Sequence, residues 1–160
     1  MKKILKYIGI VVAVIVIVAV VGIGILTVTE YKPDDTEAVA VTGESSGTVS
    51  VGDSLSILTW NIGYGALGAN ADFFMDGGEH VSTATKEQTE DNMAAISSLI
   101  SDTDPDIVML QEVDTDSKRS HYINESDYLM SALTGYESTF AYNYRVLYVP
   151  YPLPTIGKVN

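Results

Sequence analysis

The sequence predicts an α/β domain carried on a single membrane-crossing helix, and three observations lead there. Residues 56–61 and 107–110 are short apolar runs of strand type, residues 86–101 between them repeat apolar positions at helical spacing, and residues 8–26 contain no charge. A strand, helix, strand succession of this kind places both strands in one sheet with the helix across its outer face.

The uncharged stretch comes first. Its 19 residues extend about 28 Å as a helix, enough for the hydrocarbon core of a bilayer. Lys2, Lys3 and Lys6 precede it, and positive flanks stay cytoplasmic, which sends the remainder outside the cell. The run exceeds the usual secretory signal core, and Val28-Thr29-Glu30-Tyr31 offers no small-x-small cleavage site. An uncleaved anchor in the cell membrane is therefore expected over a cleaved signal. Residues 29–53 set acidic side chains among Thr, Ser and Gly and read as a flexible linker, with Val39-Ala40-Val41 its only strand-like piece. Three parts result: an anchor at 1–28, an acidic linker at 29–53, and a domain at 54–160.

The first strand is rich in β-branched and aromatic residues and ends on Asn61, before Gly63 and Gly65 break its pattern. Residues 63–78 read as an active-site loop of small residues with Phe73, Phe74 and Met75 embedded, and a short helical turn is expected at 72–75. Asn70 reads as a turn residue, Asp72 and Asp76 as solvated loop carboxylates. Thr85 and Gln88 then make a capping box for the helix, whose apolar face comprises Met93, Ile96, Leu99 and Ile100. Asp104-Pro105 stops it. The run 107–110 follows as an interior strand and ends on Gln111-Glu112.

Further along, Arg119 sits on a polar loop with Asp114 and Asp116. Its planar fork of donors suits a phosphate, and equally a surface ion pair. His80 and His121 read as surface residues. Residues 121–133 predict a helix with Tyr122, Leu129 and Leu133 inward and Gly135 at its end. Residues 140–148 alternate as a strand, and Tyr142, Tyr144, Tyr148 and Tyr151 with three prolines make an amphipathic rim. Those rings either stack on a sugar or base, or pack across strands at a sheet edge.

Two strand ends carry the chemistry. If the strands are neighbours, Asn61 and Glu112 project into one pocket at the sheet's carboxyl end, where open α/β sheets place ligands. An amide and a carboxylate offer oxygen to a hard divalent cation and its phosphate. The alternative leaves Asn61 capping a turn and Glu112 as an exposed loop carboxylate.

LTWNIGYGALG (58–68) and DPDIVMLQEVD (104–114) resemble the first two motifs of the endonuclease/exonuclease/phosphatase superfamily, and residues 141–160 resemble the next strand region of its bacterial membrane-anchored members. The resemblance implies a four-layer α/β/β/α sandwich, of which this chain would be the N-terminal half. It implies Glu112 as ligand to a catalytic Mg²⁺ or Mn²⁺, and Asn61 as the residue orienting phosphate and metal. It also implies attack of water on a phosphoester. Asn143 matches a recurring asparagine of that bacterial subgroup and joins Arg119 as a candidate for substrate contact. Such domains run to roughly 200–250 residues, and the family's later histidine, Asp-x-Asn and Asp-His motifs have no counterpart here. The expectation is a hydrolase domain that is inert as this chain alone. A tethered extracellular binding module without catalysis is the competing reading.

Charge narrows the partners. All 21 acidic residues lie beyond residue 28, against six basic ones, for a net charge of −15 in that part. Affinity for long nucleic acids comes mainly from Lys and Arg, so a small phosphorylated molecule reached through bound metal fits better. The absence of cysteine is compatible with an exported protein.

Overall fold

The computed structural model describes residues 2–45, 47–69 and 71–160, which leaves the expected turn residue Asn70 outside the described residues. Helix α1 (Lys2–Val28) is long and apolar enough to cross a membrane by length and composition. Strand β1 (Val41–Gly43) lies within the expected linker and pairs antiparallel with β4 (Glu137–Thr139). The segment is thus not wholly a free tether, because Val41 and its neighbours find a backbone ladder nearly 100 residues away.

The centre of the domain is β2 (Ile57–Asn61) beside β3 (Ile107–Gln111), with α2 (Lys86–Thr103) crossing between them. The strands are parallel, in register from Ile57 opposite Ile107 to Asn61 opposite Gln111. This is the α/β arrangement expected. Helix α2 begins where Thr85 and Gln88 form the capping box in both directions and ends at Asp104, whose left-handed backbone lets Pro105 lead straight into β3. Its buried apolar stripe is Met93, Ile96 and Ile100, on which Leu58, Trp60, Val108 and Leu110 pack. Truncating the fully buried Met93 to alanine would cost about 2–5 kcal/mol.

Several expectations shift by a face or a few residues. Leu99 is exposed, since it stands about 100° round the helix from Ile100 and misses the stripe. Strand β3 is not interior: Val108 and Leu110 are half-buried under α2, while Ile107 and Met109 on the opposite face are exposed. Helix α3 spans Glu125–Ala132, later than expected, because His121 and Tyr122 both adopt left-handed backbone and Asn124 supplies the cap. Leu129 and Leu133 face the core, whereas Tyr122 is exposed. The expected strand at 140–148 is a loop as far as Arg145, held by the edge-on rings of Phe140 and Tyr142, 5.0 Å apart. Strand β5 (Val146–Val149) then pairs antiparallel with β6 (Gly157–Val159). The short helical turn sits at Phe74–Asp76.

Candidate active site

The carboxyl ends of β2 and β3 meet as a pair of side chains. Strand alternation alone would send residue 112 to the face opposite Gln111. Instead the backbone of Glu112 turns left-handed, with φ 55°, and its carboxylate meets Asn61, whose Nδ2 donates to Glu112 Oε1 at 2.9 Å. The same amide accepts the Gly63 N–H on Oδ1 at 3.0 Å. A carboxylate on one side and an N–H on the other leave only one orientation for the amide. Asn61 therefore aims the carboxylate, and its own oxygen is engaged by the following turn. The Gly63 N–H takes one of the two lone pairs of the amide oxygen that the sequence offers to a cation.

The turn after Asn61 builds the floor. Ile62 N–H donates to Gln111 O at 3.0 Å and Tyr64 N–H to Glu112 O at 2.8 Å, extending the ladder past the strand ends. Gly65, at φ 60°, passes so close to the core that a Cβ there would stand 3.1 Å from Met93 and Thr89 and 3.2 Å from Glu125. Tyr64 is buried, and burial pushes its phenol up to about 12, a rise that the nearby Arg119 guanidinium partly opposes.

Arg119 lies 3.9 Å above the Tyr64 ring centroid. Its Nε and Nη2 donate to the two carboxylate oxygens of Asp114, each at 2.9 Å. Asp114 is only 3% exposed, so this is a bidentate, largely desolvated pair and not a solvated surface contact. Burial acts to lower the Arg119 value, but the hydrogen bonds and charge of Asp114 outweigh it and hold the guanidinium more firmly protonated. Beneath the pair, Glu125 is fully buried, and its Oε2 accepts the Asp114 N–H at 2.8 Å. Burial pushes this carboxyl up to about 8, and the Asp114 N–H bond opposes the rise.

A cavity of about 880 Å³ opens at this point, and its lining includes Asn61, Glu112, Arg119 and Asn143. All four residues singled out from the sequence thus share one enclosure. No described residue of the expected active-site loop at 63–78, Asp72 and Asp76 included, lines it: Asp72 accepts from Glu79 N–H at 3.1 Å and pairs with His80 at 2.7 Å, which lowers its carboxyl. His121 Nε2 meets the Ala84 carbonyl at 2.8 Å. Sequence reasoning assigned no role to Tyr64 or Glu125, and to Asp114 only that of a surface partner for Arg119. The Gly-Tyr-Gly spacing was a signal for Tyr64, since glycines on both sides mark a tightly wound turn; nothing in the sequence marks Glu125 as buried.

For the implied Mg²⁺ or Mn²⁺, the donor set is one carboxylate held from one side, with Glu112 Oε2 taking no hydrogen bond among the described residues. No group of three acidic, histidine or cysteine side chains gathers among the described residues. Mg²⁺ is commonly held by one or two carboxylates with water and substrate phosphate completing its shell, so the arrangement fits.

The family comparison agrees with the geometry. The model of the Endonuclease/Exonuclease/phosphatase family matches residues 58–158. That span takes in β3, all but the first residue of β2 and all four candidate residues, and the family generally uses divalent metals. No curated protein and no solved structure gives a match. With most of its length covered, the chain belongs to the endonuclease/exonuclease/phosphatase family.

Proposed function

We propose that the chain serves metal-dependent phosphoester hydrolysis from the outer face of a membrane, with α1 as its anchor and Lys2, Lys3 and Lys6 on the cytoplasmic side. The observation that carries this reading is the Asn61–Glu112 contact inside the cavity that Arg119 and Asn143 also line. Glu112 would hold Mg²⁺ or Mn²⁺ through its unshared oxygen, while Asn61 fixes the carboxylate's direction. A bound cation would neutralise charge developing on phosphate oxygens. Arg119 spends Nε and Nη2 on Asp114 and keeps Nη1 for a phosphate oxygen. Asn143, which shares the cavity's lining, would offer amide donors to the substrate. The acidic exterior favours a small phosphorylated substrate over long nucleic acid.

One feature favours the second reading, a tethered module that binds phosphate without turnover. His80 and His121 are both engaged away from the cavity, so neither stands beside Glu112 as a base. The test is Mn²⁺ titration of the full chain in detergent, by water-proton relaxation, with bis(p-nitrophenyl) phosphate as the reporter of turnover. Mn²⁺ binding that Glu112→Gln abolishes supports the site, and unchanged affinity in that variant overturns it. Mn²⁺-dependent release of p-nitrophenolate supports the hydrolase and overturns the expectation that this chain alone is inert; intact binding without release is the outcome that expectation shares with the module.

A further inference from the structure

Among the described residues, Glu125 is the one carboxyl that is fully buried with an oxygen left unpartnered. Three segments close around it. The turn after β2 brings Gly65, where a Cβ would stand 3.2 Å from that unpartnered Oε1, and α2 brings the uncharged Thr89 and Met93 against the same glycine. The loop after β3 brings Asp114 and Arg119, the charged groups that act on the carboxyl. Tyr64, the titratable group of the first turn, lies against the guanidinium.

From this buried carboxyl a continuous run of contacts reaches the cavity. Glu125 Oε2 accepts the Asp114 N–H, and the Asp114 carboxylate accepts Nε and Nη2 of Arg119. Asp114 and Arg119 both line the cavity, whereas Glu125 does not. Nη1 of Arg119 ends the run. The fork of the guanidinium is committed to Asp114, so no cation is left to neutralise a second carboxylate behind it. Such an isolated charge is costly in an apolar surround, and Glu125 keeps its proton up to about pH 8.

We propose that Glu125 is a positioning residue for Arg119: acting through Asp114 from outside the cavity, it fixes the guanidinium and sets how tightly the cavity holds a phosphate anion. This rests on the reading of Arg119 as a phosphate contact. The neutral carboxyl leaves Arg119 with Asp114 as its one anionic partner and Nη1 for the ligand. Once ionised, it puts a second buried anion behind the same guanidinium and opposes the phosphate. Anion affinity therefore falls as pH rises through the Glu125 ionisation. By linkage, a bound anion holds the proton on Glu125 more firmly.

Arg119 and Arg145 are the chain's two arginines, so arginine labelled with ¹³C at Cζ gives the full chain in detergent two signals, told apart by Arg145→Lys. Diethyl phosphate, a monoanion throughout, is the probe, titrated with Mg²⁺ at about pH 6 and about pH 9. The Arg119 signal should shift in one step near pH 8, and the probe should bind at least about fivefold more weakly at the higher pH. Glu125→Gln should lose both the step and the pH difference while keeping the affinity seen at low pH. A step or a pH difference that persists in Glu125→Gln overturns the proposal. The unsubstituted protein carries the reciprocal check whether or not that variant folds: saturating diethyl phosphate should move the step to higher pH, and an unmoved midpoint overturns the proposal. Equal affinity at both pH values overturns the role of Glu125 and leaves the phosphate site standing. Diethyl phosphate that moves the Arg119 signal at neither pH removes both.

Discussion

Glu125 grips the backbone of Asp114 from both sides: its Oε2 accepts the Asp114 N–H at 2.8 Å, and its own N–H donates to the Asp114 carbonyl at 2.9 Å. The loop that follows Glu112 is thereby fastened to the first turn of α3. The side chain that fastens it is fully buried, and its Oε1 has no partner among the described residues.

A pH dependence follows from that burial. The folded carboxyl is pushed up to about 8 from an ordinary 4.5, chiefly by desolvation. Between those values the folded state keeps a proton that the unfolded chain releases, so stability falls as pH rises through the window. Asp72 and Asp106, lowered by their hydrogen bonds, act with the opposite sign and only in more acid solution. Denaturant unfolding of the protein should show declining stability from pH 5 to pH 8. Glu125→Gln, which cannot ionise, should flatten that decline, and an unaltered slope in the variant would show that Glu125 is not its source.

The pair above it predicts an asymmetric mutational response. Arg119→Ala leaves Asp114 buried without a counter-charge, and breaking such a pair from one side costs about 3 kcal/mol. Replacing both partners, Asp114→Asn with Arg119→Met, removes the stranded charge and should recover part of that loss. A thermodynamic cycle over the two single variants and the double checks it, and additive losses would show that the two residues act independently.

Legibility in the sequence followed the range of the interactions. The helix at 86–103, its capping box and the two flanking strands rest on neighbours a few residues apart, and Thr85, Gln88, Ile57 and Ile107 behave as local pattern dictates. The meeting of Asn61 with Glu112 was legible too, because parallel strands bring their ends together. What pattern could not supply was orientation after the strand stops. The left-handed backbone of Glu112, which swings its carboxylate to Asn61, has no local marker in a Gln-Glu-Val sequence. Glu125 reads as an ordinary acidic residue in a helix's first turn, and only the long-range approach of Gly65 and Asp114 buries it. His121 and Tyr122 fit a helical spacing as well, yet their left-handed backbone delays α3.

The roles of Asn61 and Glu112 separate on metal affinity. Glu112→Gln removes the anionic ligand and should abolish detectable Mn²⁺ binding. Asn61→Ala keeps the ligand but frees its direction, and loss of an outer partner of this kind weakens metal binding by about 10–100-fold. Calorimetric Mn²⁺ titration of both variants distinguishes them. Equal, total loss in both would make Asn61 a direct ligand, through the lone pair of its oxygen that the Gly63 N–H does not take.

Glu112 also sits where its side chain is costly to the backbone. At φ 55° a residue with a Cβ is strained by roughly 1 kcal/mol or more, a cost that glycine avoids. Comparing Glu112→Gly with Glu112→Ala isolates that strain, since both lack the carboxylate and its bond to Asn61 and differ only in the Cβ. The glycine variant should be the more stable by about 1 kcal/mol in denaturant unfolding, even after glycine's greater freedom in the unfolded chain is counted. Neither should bind Mn²⁺. Glycine gaining stability where function is lost would mark this turn as held in its conformation for the ligand it presents; equal stability of the two variants would remove strain from the account and leave Asn61 alone as what aims the carboxylate.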